Sequence, residues 1–271
     1  MHFLLRVRPA SLASLIKRLF RINRRPARTT GGFVFMVDPV SQFGDCILSF
    51  GEYEPELTAA FRCLIREGDA VLDIGANEGY FTVLACALTR GRVIAVEPQS
   101  RIRDVLQQNL TLNDASHAEL HFVALSDKAG HAEMSLGSDM NPGAASLLAT
   151  HKAGGSETVH TLTLDALLKQ LSWPRLSLVK IDCEGSEELI LNGAGEFLAR
   201  RCAEFISLEF HPTITGVEAQ FRMDRLLRSH GYVLTAAGNG TWLYHLPGLE
   251  TALAPLGRVI AIGPELEYPS S

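Results

Sequence analysis

The sequence has few of the features that mark a secreted, membrane-spanning or zinc-binding protein. Its 271 residues include five cysteines, an odd number, and no two of them form a C-x-x-C pair, so neither a disulfide framework nor a zinc site is predicted. No apolar run approaches the roughly 18 residues of a membrane span, and the N-terminus lacks the apolar core of a secretory signal. We therefore expect a cytoplasmic protein with reduced thiols.

Acidic residues are missing from the start of the chain. The first 30 residues contain eight Lys and Arg residues, and no Asp or Glu precedes Asp38. The whole chain nevertheless carries a formal charge of -5, which disfavours a nucleic-acid-binding protein. The basic excess is therefore a property of the N-terminus alone.

The N-terminal segment has a helical pattern. Residues 12–22 place Leu and Ile at helical spacing with basic residues between them, which predicts a short basic amphipathic helix. Residues 23–32 have the composition of a linker, so residues 1–32 are predicted to form an extension and residues 33–271 the main domain. The helix either packs on the main domain or contacts an anionic membrane surface, at the inner face of the membrane, through residues 1–30.

Beyond the extension, short apolar strands alternate with amphipathic helices, which predicts an α/β fold with a mostly parallel, doubly wound sheet. The last two strands flank Gly-Asn-Gly, a turn typical of an antiparallel hairpin. Seven strands are predicted for this sheet, at residues 69–75, 91–98, 118–125, 176–182, 204–210, 232–237 and 241–246, with a short extra strand at 131–136. Helices are predicted at residues 78–88, 101–112, 164–171, 187–199 and 218–230.

A glycine-containing turn follows the first of these strands. Residues 71–81, "VLDIGANEGYF", place Gly75 and Gly79 four residues apart. In an open parallel sheet, ligands bind beyond the carboxyl ends of the strands, and the helix after the turn offers free N–H groups. Glu97 ends the next strand, 22 residues after Gly75, at a spacing that suits a carboxylate binding the hydroxyls of a ribose. The pattern predicts a ribose-containing cofactor.

The identity of the cofactor depends on the middle of this turn. Dinucleotide-binding proteins have G-x-G-x-x-G, whose second glycine allows close approach to a pyrophosphate, but Asn77 stands at that place here. S-adenosylmethionine, with a ribose and an amino-acid tail but no phosphate, fits better, and Asp73 would face its ammonium group. The alternatives are a nicotinamide-dependent oxidoreductase and a non-catalytic nucleotide-binding module that tethers a partner.

Several motifs, in the same order along the chain, resemble those of the FkbM-family methyltransferases. They are "GEYEPEL", "VLDIGANEGYFTVLA", "VIAVEP", "FVALSD", "VKIDCEGSEELILNGA" and "SLEFHP", and they cover roughly residues 43–246. The resemblance implies a class I methyltransferase fold with a Rossmann-like sheet, S-adenosylmethionine as the methyl donor, and usually O-methylation of sugars, glycolipids or polyketide-type natural products. The expected acceptor is therefore a small molecule, a glycan or a glycolipid, and not a nucleic acid.

The resemblance also implies roles for single residues in cofactor binding. The residues that would line the methionine part are Asp73, Gly75, Asn77 and Gly79. Glu97 would hold the ribose, Pro98 would lie beside the adenine, and Ala124, at the end of the third strand, would meet the adenine edge. Tyr53 and Glu54 would close over the cofactor, although Glu54 equally suits the start of a helix, near its positive end.

Polar side chains follow two neighbouring strands of the predicted sheet. Asp182 and Glu184 follow one strand, and Glu209 and His211 end the next. Methyl transfer to a hydroxyl requires removal of its proton, and an imidazole with a pKa near 6.5 is a suitable base, so His211 is the predicted base. All four are candidate catalytic residues, although Asp182 also suits a helix cap.

The same four side chains would alternatively hold a divalent ion that polarises the acceptor hydroxyl. The sequence has no close spacing of metal ligands, so this mechanism ranks second and no metal site is predicted. Residues 137–160, rich in Gly and Ser, form a long loop of the kind that is usually functional or disordered. With Asn141, Gly143 and Ser146, this loop is the predicted lid over the acceptor.

Overall fold

The computed structural model describes residue 17 and residues 19–137, 144–148, 154–238 and 240–256. Its strands are β1 Arg25–Arg28, β2 Val34–Val37, β3 Val71–Ile74, β4 Val93–Val96, β5 Glu119–His121, β6 Ala124–Leu125, β7 Gly130–Ser135, β8 Ser156–Leu162, β9 Leu176–Ile181, β10 Ala203–Glu209, β11 Val233–Gly238 and β12 Thr241–His245. Its helices are α1 Gln42–Phe50, α2 Pro55–Leu64, α3 Tyr80–Leu88, α4 Ser100–Leu112, α5 Leu164–Gln170, α6 Glu187–Asn192, α7 Gly195–Arg200, α8 Pro212–Thr215, α9 Val217–Ser229 and α10 Glu250–Leu253, followed by a 3-10 helix at Ala254–Leu256.

A seven-stranded sheet forms the centre of the fold. The strand order is β11-β12-β10-β9-β3-β4-β5. β12 runs antiparallel to both of its neighbours, and the other pairs are parallel. The predicted doubly wound, mostly parallel seven-stranded sheet ending in an antiparallel hairpin is confirmed.

The chain winds outward from β3 in one direction and from β9 in the other, so the order reverses between these two adjacent strands. Apolar side chains cover both faces of the sheet. Val71 of β3 packs in one hydrophobic cluster, whereas Leu72 and Ile74 pack in the other, as expected because successive side chains of a strand point to opposite faces. Loops that follow β3, β4, β9 and β10 therefore meet at one edge, where the reversal leaves room for a ligand.

Two predicted elements are divided in the structure. The predicted strand 118–125 becomes β5, which pairs with β4, and β6, which pairs with β8 in a separate three-stranded sheet. The predicted helix 187–199 becomes α6 and α7, separated at Gly193. A Cβ on Gly193 would lie 2.3 Å from the carbonyl oxygen of Ser126, so the chain approaches its neighbour there at a distance that only glycine allows.

The interpretation of residues 23–32 as a linker is wrong for residues 25–28. These residues form β1, which pairs antiparallel with β2 through the whole length of both strands. The predicted division of the chain at residue 32 falls within the turn of this hairpin and stays a prediction.

Three predictions concern residues outside those that the structure describes. They are most of the basic helix at residues 12–22, Asn141 and Gly143 of the predicted lid, and Asn239 of the hairpin turn. Within the described ranges, none of the helices has the length and apolarity needed to cross a membrane. The cysteines within the described residues are free, and Cys86 is buried in the core.

Candidate active site

The turn after β3 is built around a close approach between two strand ends. Gly75 has φ of +82°, and a Cβ at this position would lie 1.8 Å from the carbonyl oxygen of Asp182. The N–H of Asp182 in turn donates to the carbonyl of Ile74 at 3.1 Å. The sequence motif suggested that Gly75 makes room for a ligand, but the Cβ direction is occupied by the protein itself. Glycine is required here so that the ends of β3 and β9 meet.

Glu97, directly after β4, is held in one orientation by the backbone. Its Oε2 accepts a hydrogen bond from the N–H of Asn77 at 2.9 Å, and its Oε1 accepts one from the N–H of Gln99 at 2.9 Å. Burial outweighs these two hydrogen bonds and raises the pKa of Glu97 to about 7. Each carboxylate oxygen keeps a second lone pair, which suits it to accept hydrogen bonds from a bound molecule.

A cavity of about 160 Å³ opens at this edge of the sheet. Ten of the thirteen predicted site residues line it: Tyr53, Glu54, Gly75, Asn77, Glu97, Pro98, Ala124, Asp182, Glu184 and Glu209. Glu97 follows β4, Asp182 and Glu184 follow β9, and Glu209 ends β10, so the ribose-binding candidate and the acidic group are carried by different strands. One cavity thus joins the predicted cofactor end and the predicted acceptor end.

The other three predicted residues do not line this cavity. The carboxylate of Asp73 is buried, accepts a hydrogen bond from Thr82 Oγ1 at 2.6 Å, and lies 3.6 Å from Lys180 Nζ. Gly79 begins α3 and lies against α4, where a Cβ would approach Leu106 to 2.7 Å. His211 lies behind the acidic group, as described next.

His211 is surrounded by four carboxylates. Its Nε2 lies 3.8 Å from Asp182 Oδ1, 3.6 Å from Glu184 Oε2 and 3.8 Å from Glu209 Oε1, while its Nδ1 lies 3.2 Å from Glu187 Oε1. Burial alone would lower the pKa of His211, but these carboxylates, Glu187 first, outweigh it and raise the pKa to about 9. The ring is therefore protonated at neutral pH, which disfavours the predicted role of His211 as a free base.

The acids themselves have shifted pKa values. Burial, followed by the neighbouring charge of Asp182, raises the pKa of Glu184 to about 7 and that of Glu209 to about 8. The same two causes raise the pKa of Glu54. Carboxyl groups with pKa values near the working pH are suited to general acid–base chemistry.

Lys180 is the buried cation that balances this charge. Its Nζ lies 3.1 Å from Asp182 Oδ2 and 3.6 Å from Asp73 Oδ1, and its side chain is 3% exposed. Burial alone would lower the pKa of Lys180. The negative charges of Asp182, Asp73 and Glu54 raise this pKa by more than burial lowers it, so the net shift is upward. Asp182 therefore pairs with Lys180 instead of capping a helix.

The residues that α1 contributes to the cavity wall are absent from the sequence predictions. Ser41, Gln42 and Phe43, at the start of α1, line the cavity, and Ser41 Oγ accepts a hydrogen bond from the N–H of Gly44. A Ser before an amphipathic run is a helix-start signal, so this helix was open to prediction. The ring of Phe43 packs edge-on against Tyr53, with 5.2 Å between centroids, and so positions Tyr53 at the cavity.

The N-terminal hairpin is joined to the same wall by an ion pair that the sequence did not reveal. The guanidinium of Arg24 donates to both carboxylate oxygens of Glu78, at 2.7 and 2.8 Å. Glu78 lines the cavity. Since bidentate pairs of this kind fix geometry well, Arg24 secures the turn between β3 and α3.

Part of the predicted lid lies at the cavity. Ala145 and Leu147 line it, together with Met134 of β7. Between them, Ser146 exchanges two backbone hydrogen bonds with Ser135, at 2.8 and 2.9 Å. This part of the loop is therefore attached to the edge of the small sheet next to the site.

The strand order, with its single reversed strand, defines a protein of the class I methyltransferase fold, and the cavity occupies the ligand-binding edge of that fold. The chain belongs to the FkbM methyltransferase family: the model of the methyltransferase FkbM domain matches residues 73–234. The match extends from the end of β3 to the start of β11 and so includes most of the cavity wall.

Curated relatives are similar over part of their length. The hexuronic acid methyltransferase AglP of Haloferax volcanii is 30% identical over 148 residues, which are 54% of this chain and 57% of that protein. The AMB antimetabolite synthetase AmbE of Pseudomonas aeruginosa is 27% identical over 68% of this chain, but only 11% of that protein is covered. The methyltransferase sdnD of Sordaria araneosa is 27% identical over 61% of this chain and 74% of that protein. The chain thus spans little more than half of the first relative and a small part of the second.

Solved structures of similar shape are more distant in sequence. A putative rRNA methylase from Clostridium thermocellum has a TM-score of 0.46 at 13% identity, covering 70% of this chain and 92% of that one. The precorrin-6y C5,15-methyltransferase from Geobacter metallireducens has a TM-score of 0.44 at 17% identity, covering 70% and 86%.

Proposed function

We propose that the protein is an S-adenosylmethionine-dependent O-methyltransferase that acts on a hydroxyl of a sugar, a glycolipid or a natural product. One observation carries the proposal. A single cavity has a backbone-held carboxylate, Glu97, on one wall and the acids Asp182, Glu184 and Glu209 on another. A carboxylate such as Glu97 suits the ribose of the donor, and a group of acids suits an acceptor whose hydroxyl must lose its proton.

The residues present fit S-adenosylmethionine. The free lone pairs of Glu97 suit the two ribose hydroxyls, and Pro98 and Ala124 provide apolar surface for the adenine. Among the described residues, Asn77 Oδ1 and Glu54 Oε2 are buried polar atoms without a hydrogen-bond partner, and both residues line the cavity. Buried acceptors of this kind are costly unless a ligand donates to them, and the ammonium group of the methionine part is such a donor.

When bound, S-adenosylmethionine supplies a methyl group on a positively charged sulfur, which takes the electron pair of the carbon–sulfur bond as the acceptor oxygen bonds to the carbon. The protein's part is to align the acceptor and to remove the hydroxyl proton. Glu184 and Glu209 line the cavity, unlike His211, and we assign Glu184 as the acceptor of the proton and Glu209 as a group that assists its removal. Alignment supplies much of the reduction in the barrier, and a positioned base contributes about 10²–10⁴-fold.

Asp182, Glu184 and Glu209 form the part of the cavity lining that we call the acceptor wall. The charge of this wall favours an acceptor with several hydroxyl groups. Carboxylates outnumber the cations Lys180 and His211 around it, and carboxylate oxygens readily accept hydrogen bonds from hydroxyl groups. The chain is similar to AglP, whose name gives a hexuronic acid as the group that it methylates, and this similarity supports a sugar acceptor.

The proposal is tested by incubating the purified protein with methyl-labelled S-adenosylmethionine and a set of neutral glycans, uronic-acid-containing glycans, glycolipids and small hydroxylated natural products. We expect label in a base-stable methyl ether on one of these classes. Transfer only to a carboxyl group, as a base-labile ester, or stabilisation of the protein by NAD but not by S-adenosylhomocysteine, would contradict the proposal.

The affinity for S-adenosylhomocysteine is expected to rise about five- to tenfold between about pH 6 and pH 8. The pKa of Glu97 is raised to about 7, so the carboxyl is mostly protonated at the lower pH and mostly ionised at the higher. Only the ionised group accepts from both ribose hydroxyls, so affinity increases as the proton is lost. Isothermal titration calorimetry across this range measures the effect.

Glu97→Gln is the matched control for this pH dependence. The amide keeps the shape of the side chain but does not ionise, so the affinity should be weaker by about 10–100-fold at pH 8 and nearly constant with pH. An unchanged affinity in a folded Glu97→Gln protein means that Glu97 does not hold the ribose.

Contact with an anionic membrane through the N-terminus remains a proposal, supported by two exposed side chains. Leu19 is 75% and Phe20 71% exposed, whereas Lys17 and Arg24 pair with Asp38 and Glu78 within the domain. Replacing both apolar residues by Ser should weaken binding to anionic liposomes at low salt at least about tenfold, since each buried apolar side chain contributes about 1.5–3 kcal/mol. Equal sedimentation of wild type and variant with the liposomes would exclude this contact.

A further inference from the structure

Asp182, Glu209 and His211 come together as a possible set of metal ligands. One ligand atom from each lies within 4.8 Å of the others. The Nε2 atom of His211 is 3.8 Å from an oxygen of each acid, which is beyond hydrogen-bond range. Two atoms bound to one ion at about 2.2 Å, with angles of about 90–120°, are separated by about 3.1–3.8 Å. The two separations from His211 Nε2 are too wide for direct hydrogen bonds and lie at the upper end of the range for two ligands of one ion.

A second and independent observation is the position of Glu187 behind the ring. Its side chain is 1% exposed, and its Oε1 lies 3.2 Å from His211 Nδ1. The same oxygen accepts hydrogen bonds from the N–H groups of Cys183 at 2.8 Å and Gly185 at 3.2 Å, which fix its place. Its Oε2 has no hydrogen-bond partner among the described residues. His211 Nδ1 makes no hydrogen bond to the described residues, but a carboxylate at this distance is placed to accept one from Nδ1 and so to direct Nε2 toward a metal, as in many metal sites.

We propose that Asp182, Glu209 and His211 bind a divalent cation at the acceptor end of the cavity. The ligand set consists of two carboxylate oxygens and one imidazole nitrogen. Oxygen-rich sets suit Mg²⁺ and Mn²⁺, and nitrogen-containing sets suit Zn²⁺. Because this set has both kinds of ligand atom, Mn²⁺ is the probe of choice.

The inference rests on the proposed function in one respect, the use of the ion. A hydroxyl bound to a divalent cation loses its proton more readily. Glu184 lines the same cavity, and its Oε2 lies 3.6 Å from His211 Nε2, so it is close enough to the proposed ion to receive this proton. The cation also offsets the excess negative charge of the acceptor wall, and so allows acceptors that are themselves anionic to bind.

Mn²⁺ binding to the full-length protein, measured by electron paramagnetic resonance in the absence of donor and acceptor, tests the site. We expect one bound ion in the wild type and its loss in His211→Gln and Glu209→Gln. Glu187→Gln should weaken binding by about 10–100-fold, the usual cost of losing a carboxylate that orients a ligand. Glu204→Gln, at the other end of β10 and paired with Arg175 on the surface, should bind Mn²⁺ like the wild type.

The S-adenosylhomocysteine affinity of each variant shows that it is folded. Absence of Mn²⁺ binding by the wild type at about millimolar concentration, or equal binding by the wild type and both ligand variants, would overturn the metal site. If the ion binds through these residues and no hydroxyl is methylated with the ion present, the proposed function fails and the metal site stands.

Discussion

Glu209→Gln is expected to lower the rate of methyl transfer by about 10²–10⁴-fold, the usual contribution of a group that assists removal of a proton. Glu209 ends β10, lines the cavity and lies 3.8 Å from His211 Nε2. The substitution keeps the size of the side chain and removes its ability to ionise and to take up a proton. The affinity for S-adenosylhomocysteine should change less than about twofold, since the ribose is held by Glu97 on another wall.

The comparison that makes this result specific is Glu204→Gln. Glu204 belongs to the same strand, and its carboxylate pairs with Arg175 at the surface, 2.9 Å away. Both substitutions replace a carboxyl group by an amide on the same strand, so a general effect of that change on the enzyme would appear in both variants. Equal rates for Glu209→Gln and the wild type at saturating donor and acceptor would remove Glu209 from the reaction.

The pattern of the sequence predicted the central sheet because each strand carries its own signal. Strands buried on both faces are mostly apolar: β4 is entirely so, and β3 and β9 are apolar except for Asp73, Ser177 and Lys180. The hairpin of β11 and β12 follows from its glycine turn. Where such local signals exist, the fold was predicted without knowledge of tertiary contacts.

The failures lie where a tertiary contact decides the structure. Residues 118–125 are uniformly strand-like, and the division into β5 and β6 depends on two different partners, β4 and β8. The helix break at Gly193 depends on the carbonyl of Ser126, more than 60 residues earlier in the chain. β1 was assigned to a linker because its Arg and Pro residues are typical of one, yet pairing with β2 outweighs that composition.

The site divides in the same way. Placement at the carboxyl ends of adjacent parallel strands is enough to bring Glu97, Asp182 and Glu209 to one cavity. Distances between side chains cannot be obtained from such placement. The approach of Glu187 to the rear of the His211 ring is decided by the turn before α6, and this contact changes the chemistry expected of the histidine.

Charge balance links the fold to the site. Asp73, Asp182 and Glu54 are brought together by three different loops and strands, and Lys180 is the buried cation that lies close to two of them. Taking several carboxylates out of water is costly unless they are paired. Lys180 therefore stabilises the fold by neutralising buried carboxylates, a role that does not depend on the cofactor or the acceptor.

Lys180→Met is expected to destabilise the folded protein by about 3–5 kcal/mol, the usual cost of removing one partner of a buried ion pair. The Lys180 side chain is 3% exposed and that of Asp73 is 1% exposed, so water cannot replace the lost ammonium group. Met has a similar length and keeps the packing of the stem. The change in the free energy of unfolding is measured by urea denaturation.

Two further variants distinguish the effect of an unpaired buried charge on stability from the effect of replacing any lysine by methionine. Lys180→Met with Asp73→Asn should recover most of the lost stability, because the amide is neutral and its oxygen still accepts the hydrogen bond from Thr82 Oγ1. Lys169→Met, on an exposed position near the end of α5, should stay within about 0.5 kcal/mol of the wild type. If Lys180→Met lowers the free energy of unfolding no more than Lys169→Met does, the buried acids do not depend on Lys180. The carboxyl groups must then be neutral because they are protonated, and the charge balance would come from these protons and not from the lysine.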